Sequence, residues 1–154
     1  MRLALYQPDI PQNTGTILRM AACLGIPVDV VEPAGFDISS RALKRAGLDY
    51  YKSADIIRHA SFAAFKCGLD ERSARLILLT TQSQTPYHEI MFQPSDVLMV
   101  GRESAGVPEE IHAAAHLRVR IPIREDMRSL NVAVALAMVL GEGLRQTGGF
   151  SRFA

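Results

Sequence analysis

Asp96-Val-Leu-Met-Val-Gly101-Arg-Glu-Ser-Ala-Gly106-Val-Pro108 is the stretch on which the fold turns. Four consecutive apolar residues between an acid and a glycine have the length and uniform character of a strand buried on both faces. Such strands belong to parallel sheets covered by helices on both sides. A polar turn edged by Gly101 and Gly106 follows. Pro108-Glu-Glu-Ile-His-Ala-Ala-Ala then reads as a helix, with proline and two acids in its first turn, where the helix dipole favours negative charge. Strand, turn and helix in direct succession are the building unit of an α/β domain.

The same alternation extends outward in both directions. Toward the N-terminus, Arg75-Leu-Ile-Leu-Leu-Thr-Thr is a strand, Ser61 to Lys66 is a short helix that stops before Gly68, and Asp55-Ile-Ile-Arg is a third strand. Ser39-Ser-Arg-Ala-Leu-Lys-Arg-Ala is a short helix with a serine cap, closed by Gly47. Val28-Asp-Val-Val and Leu3-Ala-Leu-Tyr are the first two strands in reverse order. Between them Asn13-Thr-Gly-Thr opens a helix to about Leu24, with Ile17, Ala21 and Leu24 on one face and Arg19 off it, and Gly25 ends it. Toward the C-terminus, Leu117-Arg-Val-Arg-Ile-Pro alternates as a final strand, and a helix runs from about Ser129 to Arg145. Its segment Val132 to Leu140 carries no charge and is apolar all round. One face against a sheet cannot cover it, and a symmetric dimer supplies a second apolar partner. Residues 147–154 are expected to be loosely held. There are no repeats, low-complexity segments or linkers, so residues 1–154 are expected to form a single domain.

Of the 154 residues, 48% are apolar and 21% charged, which is globular rather than disordered. No apolar run approaches the ~20 residues of a membrane helix, and the N-terminus shows no signal-peptide core, so the expected location is cytoplasmic. Cys23 and Cys67 fit that compartment as reduced, buried thiols. A protein that binds RNA through a long basic face usually carries more than this net charge of +1. Any such contact must be local. Arg41, Lys44, Arg45, Lys52 and Arg58 cluster against Asp49 and Asp55, and Arg118, Arg120, Arg124 and Arg128 against Glu125 and Asp126.

Open α/β sheets bind ligands at the carboxyl ends of their strands, where the Gly101–Gly106 turn lies. Its Gly-x-x-x-x-Gly spacing is that of a phosphate loop, but Val107-Pro108 stand where Lys-Ser/Thr is required. No Gly-x-Gly-x-x-Gly occurs. His112 and His116 have a zinc-like spacing without a third ligand beyond Glu109, so no metal is expected. Ser104 and Ser129 lack a histidine at hydrolase spacing. In Ile121-Pro-Ile-Arg-Glu-Asp-Met-Arg-Ser-Leu-Asn131 a strand ends, a polar loop follows, and small polar residues open a helix whose unpaired N–H groups can hold a ligand.

Three stretches in this order resemble the three motifs of the SPOUT superfamily of RNA methyltransferases: Pro11-Gln-Asn-Thr-Gly-Thr-Ile-Leu-Arg19, Val97-Leu-Met-Val-Gly-Arg-Glu-Ser-Ala-Gly-Val-Pro108, and Ile121-Pro-Ile through Arg-Ser-Leu-Asn131. Leu43-Lys-Arg-Ala-Gly-Leu-Asp-Tyr50 and the minimal length are similar to one branch, the tRNA wobble-nucleotide 2′-O-methyltransferases, which act on cytidine or uridine at position 34. The resemblance implies a parallel sheet flanked by helices, whose C-terminal part threads a loop to make a deep trefoil knot within about residues 75–145. Knots are rare, and periodicity does not reveal one. It also implies S-adenosylmethionine as cofactor, held by Leu79, Thr80, Gly101, Glu103, Gly106, Ile121, Ile123, Ser129 and Leu130, many through their backbone. Arg19, Asn13 and Asn131 match the family's catalytic positions. A guanidinium, with its pKa above about 12, resists acting as a base, so Arg19 is expected to clamp phosphate and stabilise developing charge. The two asparagines are expected to orient Arg19 or the ribose. The implied partners are a second copy of the chain and tRNA, gripped at its anticodon loop by Arg41, Lys44, Arg45, Arg124 and Arg128. Two departures stand out. Gly141 sits where some wobble enzymes carry an aromatic residue at the dimer contact, and Arg102 resembles the longer tRNA and rRNA ribose methyltransferases. The alternatives are accordingly ribose methylation at another tRNA position or on rRNA, and a non-catalytic nucleotide- or RNA-binding module.

Overall fold

Residues 1–38 and 53–153 are described by the computed structural model. The first segment supplies β1 (Arg2–Tyr6), α1 (Pro11–Cys23) and β2 (Val28–Val31). The second supplies β3 (Ile56–His59), α2 (Phe62–Glu71), β4 (Leu76–Leu79), β5 (Val97–Val100), α3 (Glu109–Ala114), β6 (Leu117–Val119) and α4 (Val132–Gln146). The six strands form one all-parallel sheet in the order β3-β2-β1-β5-β4-β6. The helix expected over Ser39–Ala46 lies outside the described residues.

Alternation along the strands divides the core in two. Leu3, Leu5, Val28, Val30, Leu98 and Val100 point to one face, where Ile17, Leu18 and Ala21 of α1 and Leu136, Val139, Leu140 and Leu144 of α4 cover them. Ala4, Tyr6, Leu76, Leu78, Val97 and Met99 point to the other, under Phe65 and Leu69 of α2 and Ile111 of α3. β1, β2, β4 and β5 are buried over nearly their whole length, as their apolar runs require.

The chain beyond β6 runs in an enclosed position. Thr80 N donates to Val119 O at 2.9 Å on one side. On the other side Arg120 N donates to Thr85 O, and Tyr87 N donates to Arg120 O, each at 2.9 Å. Residues 119–120 are therefore flanked on both sides by the same connection between β4 and β5.

Several boundaries differ from the sequence expectation. α1 begins at Pro11, capped by the extended Ile10 without a side-chain bond, because the fixed φ of proline suits a first helical position. α2 continues past Gly68 to Glu71. Burial of Phe65 and Leu69 on the sheet outweighs the glycine, whose helix cost is about 1 kcal/mol. α4 begins at Val132, and its cap is Asn131 rather than Ser129. The two thiols are not buried: Cys23 ends α1 and Cys67 lies on α2, both exposed. The start of the tail, residues 147–149, is tied back to the last helix. Thr147 Oγ1 donates to Gly143 O at 2.7 Å, Gly149 N to Leu144 O at 2.8 Å, and Gly148 adopts φ +68°. That is the turn by which a glycine commonly closes a helix. α4 still leaves an apolar stripe in the open, with Val134 51% and Met138 39% exposed on either side of the exposed Ala137.

Two fully buried carboxylates staple the sheet. Asp29 of β2 accepts from Arg2 Nε at 2.7 Å and lies 2.7 Å from His59 Nε2, linking β1, β2 and β3. Asp96 holds Arg75 through two bonds of 2.8 Å and accepts from Gln93 N at 2.7 Å, fixing the start of β5 beside β4. Removing one partner of a buried pair strands the other. Asp29→Ala is expected to lower the unfolding free energy by about 3–5 kcal/mol in urea denaturation; a loss below about 1 kcal/mol would show that the site behaves as exposed surface.

Candidate active site

At the carboxyl ends of β4, β5 and β6, three connections and the start of α4 enclose a cavity of about 540 Å³. Parallel strands all release their chains at this rim, so loops distant in sequence converge there. Leu79, Thr80, Gly101, Glu103, Gly106, Ile121, Ile123, Ser129 and Leu130 all line the cavity, as do Asn13, Asn131 and Arg128.

The Gly101–Gly106 turn is tight for a definable reason. Arg102 N donates to Gly106 O at 3.0 Å and Gly106 N to Arg102 O at 2.8 Å. A Cβ on Gly101 would come within 2.6 Å of Gly106 C and 2.7 Å of Val107 Cγ1. Gly106 itself adopts φ +64°, a conformation that L side chains rarely adopt.

A chain of hydrogen bonds ties the three motif stretches together at the cavity rim. Asn131 Oδ1 accepts from Ala133 N at 2.9 Å and Val134 N at 3.3 Å, capping α4. Its Nδ2 donates to Asn13 Oδ1 at 2.8 Å. Asn13 Nδ2 donates to Glu103 Oε1 at 3.1 Å. Glu103 N donates to Asp9 Oδ1 at 3.0 Å, Asp9 N reaches back to Glu103 Oε2 at 3.4 Å, and Ser104 Oγ donates to Asp9 Oδ2. Burial, and then the Asp9 carboxylate beside it, push the Glu103 carboxyl up. The hydrogen bond from the Glu103 carboxyl, with help from Ser104 and against desolvation, holds Asp9 down at about 2. The two carboxyls therefore shift in opposite directions, Asp9 down and Glu103 up.

Some expected residues lie elsewhere. Arg19 is exposed on α1 and does not line this cavity in its own chain. Six residues beyond Asn13, it sits about 9 Å further along the helix and on another face. Arg124 is exposed and bonds Asp126 at 3.0 and 2.8 Å. Arg41, Lys44 and Arg45 lie outside the described residues. Other lining residues were not singled out as site residues. Buried His112 faces the cavity, whereas His116 Nδ1 accepts from Leu76 N at 3.0 Å, so the pair points to different surroundings. The pairing of Asp9 with Glu103, 94 residues away, has no local signal.

The profile of the SpoU rRNA Methylase family matches residues 1–141. The chain is 57% identical to a tRNA (cytidine(34)-2′-O)-methyltransferase of Beijerinckia indica subsp. indica, over 97% of this chain and 94% of that one. It is 52% identical to a protein of the same name from Ancylobacter novellus, over 99% and 96%. A solved structure described as giving structural insights into the 2-OH methylation of C/U34 on tRNA superposes with a TM-score of 0.87 at 44% identity, covering 94% of each chain. An AdoMet-bound rRNA methyltransferase from Sinorhizobium meliloti superposes with a TM-score of 0.81 at 28% identity, covering 94% of this chain but 55% of that one.

Gly101→Ala is expected to weaken S-adenosylmethionine binding at least about tenfold in calorimetric titration, because its Cβ cannot fit without moving the turn; an unchanged affinity would contradict the close approach. The acid limb of stability reports the carboxyl pair. Asp9 is depressed, so its contribution is present above the ordinary aspartate range and is lost as pH falls to about 2. Glu103 is raised, so its contribution runs the other way, lost as pH rises through its shifted value. Asp9→Asn should therefore flatten the fall in Tm between the ordinary aspartate range and pH 2; an acid limb identical to that of the parent protein would refute the pairing.

Proposed function

This chain belongs to the SpoU rRNA Methylase family, and on that footing we propose that it transfers a methyl group from S-adenosylmethionine to the ribose 2′-hydroxyl of nucleotide 34, the wobble position of tRNA. The observation that carries the reading is the convergence of the three motif stretches on one cavity, clasped by Asn131, Asn13 and Glu103. The near full-length match to two wobble methyltransferases favours that target over rRNA, since the rRNA enzyme of Sinorhizobium meliloti is covered over only 55% of its length.

The residues present suit the cofactor. Leu79, Ile121, Ile123 and Leu130 offer apolar contact to a planar base, the loops offer backbone donors and acceptors, and Gly101 permits the tight turn along the cavity wall that a Cβ would break. When bound, S-adenosylmethionine supplies an electrophilic methyl on a sulfonium. The chain's own task is to place a ribose hydroxyl in line with that methyl and to stabilise the negative charge that grows on its oxygen. Asn13 and Asn131 fix each other at the rim and present amide groups to the sugar. Glu103 accepts from Asn13 Nδ2 and so steadies that side of the rim.

Four further features belong to this reading. The chain is one domain. The path of residues 119–120, flanked on both sides by the β4–β5 connection, supports a C-terminal trefoil knot. The exposed stripe of Val134, Ala137 and Met138 supports a homodimer, and among the described residues nothing lies within 4 Å of a Cβ built on Gly141. In such a dimer α1, which packs on α4, carries Arg19 to the partner's cavity, where it clamps phosphate and stabilises charge. The tRNA is held at its anticodon loop, with Arg128 at the cavity rim and Arg124, Arg41, Lys44 and Arg45 outside it, and the enzyme works in the cytoplasm.

Incubation with methyl-labelled S-adenosylmethionine and bulk tRNA is expected to label a ribose. Arg19→Ala should cut the rate roughly 10²-fold while leaving cofactor affinity intact. No label from folded protein, or full activity in the variant, would overturn the assignment.

A further inference from the structure

His112 stands one residue past Ile111, whose side chain is fully buried in the core on the α3 side of the sheet. A helix turns about 100° per residue, so the next side chain leaves that face. Here it lines the cavity at the carboxyl ends of the strands and is only 5% exposed. Burial sets it apart from the other polar groups of that wall. Arg102, Arg128 and Asn131 are exposed, and Asn13, Glu103 and Arg120 are half-buried. Among the described residues that line the cavity, only Val100, His112 and Val119 are buried.

The imidazole has no partner of its own. His112 N donates to Pro108 O at 3.3 Å, but among the described residues no hydrogen bond or ion pair reaches its ring. Neither ring nitrogen is closed off from the cavity. His116, one turn further on, is different, since its Nδ1 accepts from Leu76 N at 3.0 Å. A leucine at position 112 would leave no hydrogen bond unmade. An imidazole there leaves two polar atoms unpaired until a ligand enters.

The rest of the cavity sorts the parts of S-adenosylmethionine. Its amino-acid end carries an ammonium and a carboxylate, which favour the exposed rim with Arg102 and Arg128. Its methyl must meet the ribose at Asn13 and Asn131, on the same rim. The uncharged adenine is left for the dry end, where Val100 and Val119 close β5 and β6. The edge of an adenine presents an amino donor beside a ring-nitrogen acceptor. An uncharged imidazole presents one acceptor and one donor.

We propose that His112 recognises the adenine of the methyl donor, its ring accepting a hydrogen bond from the 6-amino group. The proposal rests on the S-adenosylmethionine site proposed above and gives that site a selectivity that apolar walls lack. Leu79, Ile121 and Ile123 accept any flat heterocycle, whereas His112 favours one with an amino donor.

The test is calorimetric titration with three ligands that do not turn over. They are S-adenosylhomocysteine, its analogue with hydrogen in place of the 6-amino group, and 5′-methylthioadenosine, which lacks the amino-acid end. The native protein is expected to bind S-adenosylhomocysteine about tenfold tighter than the analogue. His112→Leu should lose about that factor on S-adenosylhomocysteine and on methylthioadenosine, and at most about twofold on the analogue. Equal losses on all three would show a merely structural histidine and overturn the proposal. A loss on S-adenosylhomocysteine alone would place His112 at the amino-acid end and overturn it too. The proposal also falls if the native protein binds S-adenosylhomocysteine and the analogue equally, a result that needs no variant to fold. Failure of the native protein to bind any of the three would sink the cofactor site itself, so the two failures are distinguishable.

Discussion

The carboxamide of Asn131 joins parts of the chain that are 118 positions apart. One end of it caps α4 and the other reaches Asn13 at the start of α1. An N-cap of this kind contributes about 1 kcal/mol, and its larger consequence is geometric. It sets where α4 begins, and therefore where Ser129 and Leu130 stand relative to the cavity. Glu103 takes the other side of Asn13, so the turn after β5 is registered against the same point. Loosening that junction would leave the sheet intact but its rim unassembled.

The sheet explains why so small a chain can build such a rim. Six parallel strands discharge their loops at one edge, and burial of β1, β2, β4 and β5 on both faces leaves little freedom in where those loops start. The two buried carboxylates, Asp29 and Asp96, lock neighbouring strands through arginines and a histidine. Asp9 and Glu103 face each other beside the site, and their contact draws the two carboxyls apart, Asp9 down to about 2 and Glu103 up.

Much of this was legible in the residues. The uniform apolar runs at 76–79 and 97–100 announced buried parallel strands, and the glycines at 101 and 106 announced a turn that ligands can approach. Helix ends were less legible, because tertiary packing decides them: Gly68 passes through α2 on the strength of Phe65 and Leu69, and Asn131 wins the cap from Ser129 by having Asn13 to bond. Cys23 and Cys67 looked like core residues by type but fall on solvent-facing positions of their helices. Strand order, the enclosed path of residues 119–120 and the pairing of Asp9 with Glu103 are long-range facts, and no local pattern encodes them.

The most direct measurement is mass spectrometry of nucleosides from position 34 of tRNA, in cells with and without this protein. The account predicts that a 2′-O-methylated pyrimidine disappears from that position when the protein is removed and returns when it is restored. An unchanged wobble ribose, or a methyl group lost from some other nucleotide instead, would contradict it.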